Sequence, residues 1–200
     1  MSVNNLELDD VATECRNCTK CELGRRIYNG VLSNMPLDQT RGATYVLVAG
    51  APTIDDIDGG GIFKSHYFLK FENALYETTG LVRGDIYMTH VCKCCLYGVR
   101  QPSDSELRKC SDYLTRELEV MRPNLVISLG KVAFKALTGV DNLDKWHGKK
   151  LFSQKYRTYV FPIQSPTTKR CASPEAMAPL IDDLKLLAAE LRGGNDCQNE

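Results

Sequence analysis

The 200-residue sequence has no long apolar run, no excess of either charge and no internal repeat. No stretch approaches the length of a bilayer span, so a soluble protein without a membrane partner is expected. Lys plus Arg equals Asp plus Glu at 25 each. The overall charge therefore gives no sign of a polyanionic partner, and any nucleic-acid footprint has to be local. The first ten residues lack both the basic start and the apolar core of a secretory signal, so a cytoplasmic, intracellular location is expected. The length suits one domain over residues 1–200 with one sizeable core.

Cysteine, by contrast, is abundant. Nine are many for a reducing compartment, where clustered thiols more often bind metal or do redox chemistry than form disulfides. Cys15, Cys18 and Cys21 stand three apart, and Cys92, Cys94, Cys95 and Cys110 form a second group much further along. Two such groups suggest one shared metal. Four thiolates suit tetrahedral zinc or a four-iron cluster, and spacing does not separate the two. Buried free cysteines are the plainer alternative.

Residues 1–43 read as a short acidic helix, the first cysteine group and a polar connector with Asn29, Pro36 and Gly42. Four short apolar, β-rich runs follow at Tyr45–Ala49, Asp85–His90, Asn124–Leu129 and Tyr156–Phe161. Helices are predicted over 66–79, over Ser103–Met121 with Ser103 and Glu106 spaced as a capping box, and over Lys131–Leu137. A last amphipathic helix over Ala176–Leu191 follows Ser173 and Pro174, and 193–200 read as a disordered tail. This alternation predicts an α/β fold with three α/β/α layers and a central four-stranded, mostly parallel sheet. Its ligand site is expected at the carboxyl ends of the strands.

The stretch Tyr87-Met-Thr-His-Val-Cys-Lys-Cys94, then Arg100-Gln-Pro102 and Glu106-Leu-Arg-Lys-Cys110, resembles a segment of the family-four, iron–sulfur uracil-DNA glycosylases. That segment reads T-N-V-V-K-C, N-R-x-P and E-I-x-x-C, and the step of sixteen between Cys94 and Cys110 is kept. Cys18-Thr-Lys-Cys-Glu-Leu23 is similar to the family's C-x-x-C-x-L, Gly80–Tyr87 to its G-L-x-R-x-D-V-Y, and Arg122–Ala133 to its P-x-V-I-V-x-L-G-x-x-A. The resemblance implies a uracil-DNA glycosylase-like fold and a 4Fe-4S cluster on Cys18, Cys21, Cys94 and Cys110. Cys15, Cys92 and Cys95 would be spare, although a one-step slip would let Cys15 replace Cys18 or Cys21. The cluster would tie the N-terminal segment to the loop after the second strand and contribute folding free energy.

The three active-site motifs depart from the family. Where the family has G-E-A-P-G, with the Glu positioning the attacking water, this chain has Gly50-Ala51-Pro52 and no Glu. Asp56 stands in register with a second family Glu, and Phe63 keeps the aromatic that stacks on a flipped base. The base-reading Asn is His90, which offers one donor and one acceptor on opposite sides of its ring. The His of the third motif is Ser165, followed by Thr167, Lys169 and Arg170 as candidate DNA contacts.

The expected catalytic set is Asp56, His90 and Ser165, with Gly50, Ala51, Pro52, Phe63 and His90 around the base. The substitutions remove bulk, so the expected substrate is DNA carrying a pyrimidine enlarged at C5, excised by a monomer to leave an abasic site. Such bases occur in viral genomes, which suggests antiviral defence. The alternatives are a non-catalytic DNA-binding iron–sulfur protein of the same fold, and a uracil-DNA glycosylase with substituted catalytic groups.

Overall fold

The computed structural model describes residues 5–25, 44–59, 61–96, 100–167 and 169–195. The predicted connector with Asn29, Pro36 and Gly42 and the end of the predicted tail lie outside them. Five strands, β1 (Tyr45–Ala49), β2 (Ile86–His90), β3 (Leu125–Leu129), β4 (Leu151–Ser153) and β5 (Thr158–Ile163), form one sheet in the order β2-β1-β3-β5-β4. All neighbours run parallel except the β4–β5 pair. The three-layer α/β/α arrangement is as expected, with one strand more than the sequence suggested. Leu151–Ser153 is too short to show a period, and β4 exists only because Phe152 finds Tyr159 opposite it. The last predicted strand shifts from Tyr156 to Thr158, because residues 154–157 form the turn, with Arg157 at φ 52°.

Among the described residues seven α-helices are present: α1 (Asn5–Arg16), α2 (Ile54–Asp58), α3 (His66–Thr79), α4 (Asp104–Met121), α5 (Gly130–Thr138), α6 (Leu143–Trp146) and α7 (Pro174–Asn195). The capping box of α4 forms as its spacing requires. Ser103 Oγ accepts from the Glu106 N–H, and the Glu106 carboxylate accepts from the Ser103 N–H at 2.8 Å. Arg100 grips the same carboxylate with two bonds of 2.8 Å. Arg100 first, with Ser103 after it, holds the Glu106 carboxyl down to about 2. Both α3 and α5 stop at a left-handed glycine, Gly80 and Gly139.

Alternate residues of each strand face opposite layers. Leu47, Met88, Ile127 and Phe161 pack against Phe68 and Phe71 of α3 and Leu180 and Leu184 of α7. Val46, Tyr87, Val126 and Val160 pack against Leu8, Leu114, Phe134 and Leu137 of α1, α4 and α5. The chain leaves β1 for β2 on one side and pairs with β3 on the other. A crevice opens at such a reversal, beyond the carboxyl ends of the strands. Among the described residues no helix is long and apolar enough to cross a membrane.

Candidate active site and cysteine nest

The carboxyl ends of β1, β2, β3 and β5 open onto a cleft of about 1720 Å³. Gly50–Asp56, Phe63, His90, Cys95, Gly130, Val132, Ser165–Thr167 and Arg170 all line it. Thus the structure brings together the residues predicted from all three motifs, Lys169 excepted. Two backbone bonds prolong the β1–β2 pairing beyond the strands: Val91 N–H to the Ala49 carbonyl and Cys92 N–H to the Gly50 carbonyl, both 2.9 Å. The cysteine-bearing loop is thereby fixed to the first loop of the cleft.

The strand ends are packed closely. Gly130 has φ 77°, and a Cβ there would lie 2.7 Å from Ser165 Cβ, so only glycine fits. A Cβ on Gly50 would lie 3.3 Å from Val132 Cβ. Any larger residue at position 50 would begin against Val132.

Asp56 does not have the free carboxylate that its expected catalytic role needs. Its Oδ1 accepts from the backbone N–H groups of Lys64 (2.8 Å) and Ser65 (3.2 Å), and its Oδ2 from the Thr53 N–H (2.9 Å) and hydroxyl (2.8 Å). Four donors use up what two carboxylate oxygens can accept. Asp56 is buried and holds the loop between β1 and α3 in shape, with no lone pair left to orient a water. Its neighbour Asp55 is exposed, lines the cleft and makes no side-chain hydrogen bond among the described residues.

Phe63 differs from its expected state in a second way. Its ring lies 4.6 Å from that of Phe68, tilted by 45°, and 4.3 Å from that of His90, with planes within 9°. Phe63 is 3% exposed and His90 2%. The face expected to take a base is thus covered by the residue expected to read that base. Phe63 also sits at φ 56°, a region few residues other than glycine enter. The Arg83 guanidinium donates to its carbonyl at 3.0 Å and is itself held by Glu72 at 2.6 and 3.0 Å. His90 Nδ1 is buried without a hydrogen-bond partner among the described residues. Burial, assisted by the charge of Lys93, keeps the imidazole well below the usual histidine range, and hence neutral at pH 7.

The loop after β5 is braced by its own residues. Arg170 Nη1 donates to the Ser165 carbonyl at 2.8 Å, and the Arg170 N–H donates to Thr167 Oγ1 at 3.2 Å. Asp183 accepts from the Gln164 N–H at 2.9 Å, and its other oxygen lies 2.6 Å from His147 Nδ1. Lys169 is exposed.

Cys15, Cys21, Cys92, Cys94 and Cys110 are buried together with Val11, Leu23 and Tyr113, and Cys18 and Ala51 pack against them. The sulfurs come from α1, the turn after it, the loop after β2, and α4. Cys15 and Cys92, expected to be spare, lie inside this nest, whereas Cys95 lines the cleft. A hydrogen bond from the Cys92 thiol, with help from the Lys93 N–H and charge, brings Cys110 down to about 6. Cys94 is pushed up, first by burial and then by facing Cys110, Cys21 and Cys18. Among the described residues, no three His, Cys, Asp or Glu side chains close around a single-ion site.

Between nest and sheet lies a buried ion pair that sequence reasoning missed. Lys93 Nζ donates to Glu117 at 2.5 Å and to Thr89 Oγ1 at 2.6 Å, and Tyr87 and Thr89 hydroxyls donate to Glu117 at 3.1 and 2.9 Å. Lys93 is the one charged residue in the otherwise apolar stretch Val91–Cys95, which was the available signal.

Comparison with known proteins agrees with this architecture. The model of the uracil DNA glycosylase superfamily matches residues 38–185. A type-4 uracil-DNA glycosylase of Archaeoglobus fulgidus is 34% identical over 137 residues, which are 68% of this chain and 66% of that protein. One from Saccharolobus solfataricus is 30% identical over 168 residues, 80% of this chain and 75% of that protein. A DNA polymerase of Bacillus phage SP01 is 32% identical over 109 residues, 54% of this chain but 12% of its own length. The fold is that of a DNA glycosylase. The chain belongs to the uracil DNA glycosylase superfamily, with type-4 enzymes among its relatives.

Proposed function

We propose that this chain, acting as a monomeric single domain, flips a pyrimidine enlarged at C5 out of DNA and hydrolyses its N-glycosidic bond, in defence against viral DNA. The observation that carries the altered substrate is the cleft wall at Gly50 and Ser165. Both line the cleft, Gly50 puts no side chain into it, and the Asp56 carboxylate is turned into its own loop. No glutamate or histidine stands at the two positions where the family motifs carry them.

Cleavage of the bond builds positive charge on the sugar, which a nearby carboxylate stabilises while orienting the attacking water. With Asp56 fully engaged, that role passes to Asp55; Asp58 is exposed but does not line the cleft. The neutral His90 imidazole and the Ser165 hydroxyl meet the polar edge of the base, against the backbone of Gly50, Ala51 and Pro52. Lys169 and Thr167 contact phosphate, and Arg170 shapes the loop that carries them.

The nest fits a 4Fe-4S cluster: three buried thiols and the half-buried Cys18, drawn from two distant segments, face one another. Cys18, Cys21, Cys94 and Cys110 would hold it. When bound, the cluster supplies a covalent tie between the segment after α1 and the loop after β2, and thereby steadies His90.

The test is an abasic-site assay on oligonucleotides carrying uracil, 5-hydroxymethylcytosine, or the latter with a sugar attached. Release is expected from the enlarged bases and little from uracil. Uracil release at an equal rate would overturn the substrate, and release from none of them would favour the non-catalytic DNA-binding reading.

A further inference from the structure

One of the protein's own rings already occupies the stacking place of the cleft. His90 lies on Phe63 at a centroid distance of 4.3 Å with planes 9° apart, the arrangement an unsaturated base adopts on an aromatic platform. With Phe68 also packed against it and 3% of its surface exposed, Phe63 has no face open to a flipped base. Something has to move before a base can stack.

The two rings are not equally restrained. The Phe63 carbonyl is bound by Arg83, which Glu72 holds in turn, and the Phe63 ring is wedged against Phe68 in the core. No described residue bonds to Nδ1 of His90, although the atom is buried. A buried polar atom without a partner is the atom a ligand gains most by reaching.

We propose that His90 is an internal competitor for the stacking place of the cleft. Its imidazole fills the place of the base on Phe63 until a pyrimidine that can hydrogen-bond to Nδ1 displaces it. A base that stacks without reaching Nδ1 exchanges one stacked ring for another and leaves the nitrogen unpaired. One that reaches it gains a bond the free protein lacks. The identity of the ligand as a pyrimidine rests on the base-excising function proposed above; the occupied stacking place does not.

The experiment compares the full-length wild type with His90→Ala, which empties the place, and His90→Phe, which keeps it filled without a polar atom. Calorimetric titration with free uracil and free 5-hydroxymethylcytosine should show His90→Ala binding at least one base about tenfold or more tighter than wild type, and His90→Phe binding neither. In single-turnover excision, His90→Phe should be about 100-fold or more slower than wild type, with DNA affinity and melting temperature unchanged. No gain in free-base affinity by His90→Ala, or wild-type excision by His90→Phe, would overturn the proposal. Should His90→Ala fail to fold, His90→Ser empties the place while keeping a polar group. If no form of the protein releases any base, the glycosidic reading fails. The free-base titration then still decides whether His90 fills the stacking place.

Discussion

The neighbouring carboxylates Asp55 and Asp56 allow the division between chemistry and architecture to be measured. An Asp56→Asn change places an NH2 group where an oxygen now accepts two hydrogen bonds. The less costly orientation puts it at Oδ2, where the Thr53 hydroxyl can turn round to accept but the Thr53 N–H cannot. One bond to a charged acceptor is lost outright, at about 1.5–3 kcal/mol, and the bonds from Lys64 and Ser65 weaken as the charge disappears. The sum is about 3 kcal/mol. For a chain of this size that lowers the melting temperature by about 6–12 °C. Asp55→Asn, at an exposed position, should change stability by no more than about 0.5 kcal/mol. It should lower single-turnover excision by about 100-fold, the scale for removing a positioned acid–base group. Urea unfolding followed by circular dichroism gives the first quantity, and an abasic-site assay on the released substrate the second. An Asp56→Asn variant as stable as wild type, beside an Asp55→Asn variant that excises normally, would refute the reasoning.

The anaerobically purified protein should be brown, losing its visible absorption on Cys94→Ala or Cys110→Ala and keeping it on Cys95→Ala; iron analysis checks this, and stoichiometric zinc without iron would overturn the cluster. Lys93→Met should destabilise by about 3–5 kcal/mol by leaving Glu117 buried and uncompensated, and adding Glu117→Leu should recover much of that loss in urea unfolding. Because burial lowers the His90 pKa, the unfolded chain takes up a proton below about pH 6.5 that the folded chain does not. Stability from this source is fully present above that pH and is lost as pH falls, by up to about 1.4 kcal/mol per unit. The loss should be absent in His90→Phe across a series of unfolding curves from pH 7 to 5.

Local chemistry is what the sequence determined. Apolar runs placed four strands, the Ser103–Glu106 spacing placed the start of α4, and the alternation of strands and helices placed the cleft at the strand ends, because each depends on residues close together in the chain. The short α2, α6 and β4 carry too few residues to show a period, and they form where their neighbours support them. The fate of the site residues was decided in three dimensions. His90 meets Phe63 across the space between β2 and the turn before α3, and Lys93 meets Glu117 between a loop and a helix. Asp56 is saturated because the chain returns at Lys64 and Ser65 to face it. Cys92 comes beside Cys110 only once α4 lies against the loop after β2. A side chain's type says what it can donate, accept or stack upon, but whether that capacity is already used depends on which distant residue the fold brings within reach.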